Sequence, residues 1–285
     1  MGEEKKFLRT INIEGTDGSG KHTTSLFLSK VIELVTGKLT EVVSFPQHNT
    51  IQGGLVDEFL YKGLRFKGDD FQRAVREGLL YSIDRMITMT KVQENGKSLA
   101  EEIKDGDKFV IFDRYMASNF IHRCKSMNEE DLKEYIELME FIEYDVMKIP
   151  KPDITIVLKV DPEISYQNIL NRGREMDENE SLENLIEAYS RIDKLCEMQN
   201  YIVIDCCKNV QLIDNEPPHK TMKKTQEIVD DIIYEIVKLV RENKTTLECD
   251  HTNNQLLTEE IKNDEVSPEI QVSRIMGFEK HNSEE

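Results

Sequence analysis

Residues 8–27 read LRTINIEGTDGSGKHTTSLF. A short apolar run containing Ile11 and Ile13 ends in a glycine-rich turn, and a helical pattern begins straight after it. The expected order is strand, loop, helix, with Gly15-Thr16-Asp17-Gly18-Ser19-Gly20-Lys21 as the loop. A phosphate chain is held best where several backbone N–H groups converge at the positive end of a helix dipole. Glycines let the backbone curl tightly there and leave room for phosphate oxygens. Lys21 adds a mobile cation for the outer phosphates. The pattern G-x-x-x-x-G-K-[S/T] is met except at its last position, where His22 replaces the hydroxyl residue and Thr23 follows one place later. The stretch implies a nucleoside-triphosphate site, with ATP contacts from Gly15, Asp17, Gly18, Ser19, Gly20, Lys21, His22 and Thr23. Because the missing hydroxyl normally touches Mg²⁺, ligation of that ion would fall to Thr23, to water or to a changed geometry.

The chain has 285 residues, enough for one large or two small domains, and its 38% hydrophobic content suffices for a buried core. A net charge of −18 argues against duplex nucleic acid or an anionic membrane as partners through a broad basic face. Residues 1–10 are charged and lead straight into a strand, so no signal peptide is expected. No apolar run approaches the ~18 residues a membrane span needs. Cys124, Cys196, Cys206, Cys207 and Cys249 show no C-x-x-C spacing, which fits incidental thiols in a reducing cytoplasm better than disulfides or zinc.

Further along, a helix is expected from about Gly20 to Val35, with Leu26, Leu28, Val31, Ile32 and Val35 on its apolar side. A second strand covers Val42 to Phe45 and stops at Pro46. A short helix from Leu55 to Tyr61 and a long one capped by Asp69 or Asp70 and reaching Val92 follow. The run from Phe109 to Phe112 has the continuous apolar character of a buried parallel strand. It ends in Asp113-Arg114-Tyr115, on the rim where open α/β sheets bind ligands. Helical sequence spans Asn128 to Met147, and Ile154 to Val160 is a further strand. Helices from Asp161 to Asn171 and from Leu182 to Met198, a strand from Tyr201 to Ile204, a loop from Asn209 to Lys220 and an amphipathic helix from Met222 to Val240 complete the pattern. This alternation predicts a three-layer α/β sandwich: a five-stranded parallel sheet flanked by helices, of the P-loop type. The domain expected is residues 1–242; residues 243–285 form an acidic extension, expected to be mobile or loosely docked.

A phosphate loop alone does not separate a kinase from a motor or a GTPase, and the base-reading N-K-x-D of GTPases is absent. The chain instead carries EGTDGSGK, then Phe45-Pro46, then LLYSIDR at residues 79–85, then FDRYMASNFIH at residues 112–122. That order and spacing resemble thymidylate kinase, over roughly residues 7–242. The resemblance implies transfer of the γ-phosphate of ATP to dTMP, with Mg²⁺, by a homodimer. It also implies roles for single residues. Asp17 lies near the deoxyribose 3′-OH and acceptor phosphate, Phe45 walls the acceptor pocket, and Tyr81 stacks on the base. Arg85, at i+4 from Tyr81, hydrogen-bonds the base edge. Arg114 grips the acceptor phosphate, with Asp113 beside it orienting Mg²⁺ water or Arg114 itself. Tyr115, Ser118 and Asn119 line the base pocket. Where some family members carry an arginine in the loop, this chain has Gly18, so the mobile lid near residues 171–182 would supply Arg172 and Arg174. His48 stands where many members have a phosphate-binding arginine. Two alternatives remain open: a kinase for another 5-substituted deoxypyrimidine monophosphate, and a nucleotide-binding regulatory protein with impaired catalysis.

Overall fold

In the computed structural model, residues 7–124, 127–173, 176, 180–210, 219–242 and 246–247 are described. In chain order the elements are β1 (Phe7–Leu8), β2 (Thr10–Gly15), α1 (Lys21–Thr36), β3 (Thr40–Ser44), α2 (Ile51–Tyr61), α3 (Asp70–Thr90) and α4 (Leu99–Asp105). There follow β4 (Phe109–Asp113), α5 (Ala117–Arg123), α6 (Glu129–Glu140), β5 (Ile154–Lys159), α7 (Pro162–Leu170) and α8 (Leu182–Gln199). The last are β6 (Ile202–Asp205), β7 (Cys207–Val210), β8 (His219–Met222), α9 (Thr225–Arg241) and β9 (Thr246–Leu247).

Five strands form one parallel sheet in the order β3-β4-β2-β5-β6. Strand β2 is central because both its faces are covered. Ile11 and Ile13 point into an apolar layer with Leu28 and Ile32 of α1 and Ile228, Ile232 and Ile236 of α9. Its alternate residues Thr10, Asn12 and Glu14 are buried on the opposite face. That second layer packs Phe112 of β4, Tyr115 just beyond that strand, Phe120 of α5, Tyr135 of α6 and Ile192 of α8. Sequence order reverses at β2, whose neighbours β4 and β5 lead away in opposite directions. The crevice beyond the carboxyl ends of these strands is therefore the natural ligand site.

Local signals explain the boundaries. Gly20 and Gly37 flank α1 in left-handed conformations, Asp69 caps α3, and Asp161 caps α7 with Pro162 in its first turn.

Three expectations need correction, and the structure adds a helix and a strand pairing beyond them. Leu26 is exposed, because α1 turns Leu28, Val31, Ile32 and Val35 to the sheet. The expected loop from Asn209 to Lys220 contributes Asn209 and Val210 to β7 and His219 and Lys220 to β8, an antiparallel pair; residues 211–218 lie outside the described residues. Helical sequence after α6 continues as a π-helix over Phe141–Val146. Helix α5, which follows the strand β4 rim directly, was not anticipated. In the extension, β9 pairs in parallel with β1; the rest of 243–285 lies outside the described residues.

Candidate active site

The β2–α1 loop is shaped by close approach. Gly18 has φ +81°, and a Cβ there would stand 2.2 Å from the carbonyl oxygen of Ser165 on α7. No side chain fits at this position, which is why a cation cannot come from the loop at Gly18. Asn168 of α7 donates to the Gly18 carbonyl at 2.9 Å, pinning the turn. Lys21 folds back over the loop, donating to the carbonyls of Gly15 (2.9 Å) and Thr16 (2.7 Å). Burial, with Arg114 adding to it, lowers the Lys21 ammonium to about 8.

Arg114 follows strand β4 with φ +70°, a left-handed conformation costly for a side-chain-bearing residue. Its N–H donates to the Ile13 carbonyl at 3.1 Å. Glu14, buried on β2, accepts from the next N–H, that of Tyr115, at 2.7 Å, and from Ser118 through its N–H and hydroxyl. Burial raises the Glu14 carboxyl despite these bonds. The turn so fixed swings the guanidinium of Arg114 toward the loop, where it pairs with Asp17. Burial works against ionised Asp17, but Arg114 and Lys21 outweigh it and hold the carboxyl far below the usual range.

Between the loop and the helices opens a cavity, the concave setting in which small molecules bind. Asp17, Phe45, Tyr81, Arg85, Arg114, Tyr115, Ser118 and Asn119, the predicted acceptor residues, all line it. Phe45 is also core, packing on Phe112 and Tyr115. Tyr81 and Arg85 project from one face of α3 as their spacing predicts.

The structure adds detail that the spacing did not carry. Arg85 is fully buried, with Nε and Nη2 both bound to the carboxylate of Glu143 in the π-helix. Ser82 donates to the same carboxylate at 2.6 Å. Arg123 stacks over the Tyr81 ring at 5.4 Å and donates to its hydroxyl. Ser118 spends its hydroxyl on Glu14. His48 pairs with Asp57 at 2.6 Å at the cavity edge.

The nucleotide-donor side is less complete. His22 contacts Asp113 Oδ2 at 3.0 Å, and Ser44 donates to the same oxygen at 3.1 Å. Thr23 is exposed. Arg172, beyond α7, meets Glu180 at 3.5 Å and is not among the cavity-lining residues. Arg174 lies outside the described residues. Glu14, Glu143, His122 and Arg123 were missed as site residues. The available signals were a carboxylate inside a buried strand and cations or imidazole on the helix after Asp113-Arg114.

A phosphate loop on the central strand, facing a guanidinium and a cavity at the sheet switch point, defines a P-loop phosphotransferase. The family model for thymidylate kinase matches residues 13–216. The chain thus belongs to the thymidylate kinase family. It is 28% identical over 207 residues to a probable thymidylate kinase of Methanocaldococcus jannaschii, covering 72% of this chain and 92% of that one. A probable thymidylate kinase of Pyrobaculum aerophilum is 30% identical over 165 residues, covering 57% of this chain and 70% of that one. The solved structure of thymidylate kinase from Candida albicans superposes with a TM-score of 0.54 over 83% of this chain and 94% of that one. At 19% identity that likeness speaks to the fold.

Proposed function

We propose that the protein transfers the γ-phosphoryl group of ATP to dTMP, giving dTDP and ADP. The observation that carries this reading is the meeting of Arg114 and Asp17 where the phosphate loop borders the cavity. An anion bound in the cavity meets Arg114, while Lys21 and the loop amides receive the donor phosphates. An acceptor-phosphate oxygen attacks the γ-phosphorus as the bond to the β-bridging oxygen breaks, and ADP leaves. The acceptor is already an anion, so no strong base is required; positioning and electrostatic stabilisation supply the rate.

Mg²⁺ keeps several waters and phosphate oxygens and needs only one or two carboxylates from the protein. The donor set here fits that loose hold: Asp113 lies beside the loop, with Oδ2 engaged by His22 and Ser44. Asp113 would hold the ion through water, with Thr23 as a second oxygen, and the ion would neutralise phosphate charge. Arg172 and Arg174 of the lid would add positive charge on closure. A cytoplasmic homodimer is the expected setting, and sedimentation of the full chain tests the dimer.

Purified protein with MgATP and a panel of monophosphates tests the reading. Preferred turnover on dTMP supports it. Preference for another 5-substituted deoxypyrimidine supports the second reading, which His48 in the cavity wall favours, and nucleotide binding without ADP release refutes both. Arg114→Ala should lower kcat by two or more orders of magnitude with the far-ultraviolet spectrum unchanged; near-normal turnover removes its assigned role.

A further inference from the structure

Arginine is rarely buried unless its fork of donors is put to use. The side chain of Arg123, the last residue of α5, is 7% exposed and lines the cavity. Its Nη2 donates to the Tyr81 hydroxyl at 2.9 Å, and its Nη1 lies 3.6 Å from Glu77 Oε2. The guanidinium carbon stands 5.4 Å from the centre of the Tyr81 ring and 4.8 Å from that of Phe59. Glu77 and Tyr81 are one turn apart on α3, and Phe59 belongs to α2. One side chain thus ties α2, α3 and α5 together around the Tyr81 ring. The segment FDRYMASNFIH that carries the family resemblance stops one residue short of it.

A tyrosine ring pivots about two side-chain torsions, and the outer one is broad. A flat base is met face-on by only a narrow range of ring orientations, so a loose ring loses freedom when the base arrives. Arg123 removes that freedom in advance. Its hydrogen bond holds the far end of the Tyr81 ring, and its charge beside the same ring resists a swing. An apolar side chain of similar length would fill the space without desolvating a charge, so what the guanidinium adds is direction. Resting on the kinase reading above, we infer that Arg123 is a positioning residue for the acceptor base. It presets Tyr81 as the surface on which the base stacks, and so sets acceptor affinity rather than the rate of transfer.

The test compares two ligands that differ by the base alone, dTMP and 2-deoxyribose 5-phosphate. Calorimetry measures both on the full-length wild type, Arg123→Met and Tyr81→Phe, with acceptor and ATP kinetics alongside. Arg123→Met should weaken dTMP binding about tenfold, toward the lower end of what a lost base–aromatic stack costs. Binding of the base-free sugar phosphate should change less than about twofold. Acceptor KM should rise in step with the dTMP loss, while kcat and ATP KM hold. Tyr81→Phe keeps the ring, removes only the hydroxyl that Arg123 grips, and should weaken dTMP about threefold. Unchanged dTMP binding in Arg123→Met, or equal losses for the two ligands, overturns the inference. So does unchanged dTMP binding in Tyr81→Phe, a result that stands even where the arginine variant fails to fold. If any of these accompanies normal turnover of dTMP by the wild type, Arg123 loses this role and the kinase reading stands. If no monophosphate binds or reacts with the wild type, both fall.

Discussion

Glu143→Leu should be among the most damaging substitutions in the protein. The carboxylate is fully buried and accepts from Arg85 Nε at 3.0 Å, from Arg85 Nη2 and from Ser82 at 2.6 Å. Its removal leaves the buried guanidinium of Arg85 charged and unpaired, since arginine does not deprotonate in proteins. Breaking one side of such a pair costs about 3–5 kcal/mol. For a domain of this size each kcal/mol moves Tm by about 2–4 °C, so the melting temperature should fall on the order of 10 °C. Arg85→Met should cost a comparable amount by stranding Glu143. The double variant, apolar at both positions, should return to within about 1 kcal/mol of wild type. Urea unfolding of the four proteins measures the coupling. Single losses below about 1 kcal/mol, or a double variant equal to the sum of the singles, would refute the argument. Acceptor binding separates a second role. Because Arg85 lines the cavity, the stable double variant should still bind dTMP at least tenfold more weakly than wild type.

Gly18→Ala forces a methyl into the Ser165 carbonyl at a backbone φ of +81°. It should cost about 1–3 kcal/mol of stability and weaken ATP binding by tenfold or more, and unchanged ATP affinity would show the loop to be pliable. Lys21 titrates near 8 in the folded, nucleotide-free protein against an ordinary 10.5. Between those values the unfolded chain holds more protons, so this group adds stability as pH rises through the window. ATP affinity runs the other way, falling up to about tenfold per pH unit above 8 as the cation is lost; a flat calorimetric profile from pH 7 to 9.5 would contradict the burial of Lys21. Deletion from residue 243 onward removes the β1–β9 pairing of Phe7–Leu8 with Thr246–Leu247. Kinase activity should persist with a stability loss of about 1 kcal/mol or less, and an aggregated or inactive product would make the extension part of the domain.

What was legible in the sequence was what depends on neighbours along the chain. The loop from Gly15 to Lys21 and the cap at Asp69 are local chemistry. The apolar run ending at Asp113 is equally local. Tyr81 and Arg85 were read correctly as sharing a face because helical spacing enforces it. Partners remote in sequence were not legible. Glu143 sits 58 residues from Arg85, and the π-helix after Glu140 shifts its register away from the α-helical spacing that the run from Asn128 to Met147 implies. Glu14 passed as part of a loop motif because nothing local shows that its carboxylate organises a turn 101 residues away. Ser118, expected at the base pocket, lines the cavity and also bonds Glu14 at that turn. The β7–β8 pair escaped notice because polar residues and a pair of prolines mask any alternation between Asn209 and Lys220.

The wall that holds Gly18 in place has a consequence for how the molecule is born. The loop leaves the ribosome before its fastening, since Asn168, which holds its carbonyl, follows 150 residues later. Strands β4 and β5, between which β2 is sandwiched, also come well after it. At about 5–20 residues per second, translation leaves the finished loop sequence without its fastening for on the order of ten seconds. A nascent chain therefore carries the motif for triphosphate binding long before it has the grip, and competence arrives late, when α7 docks.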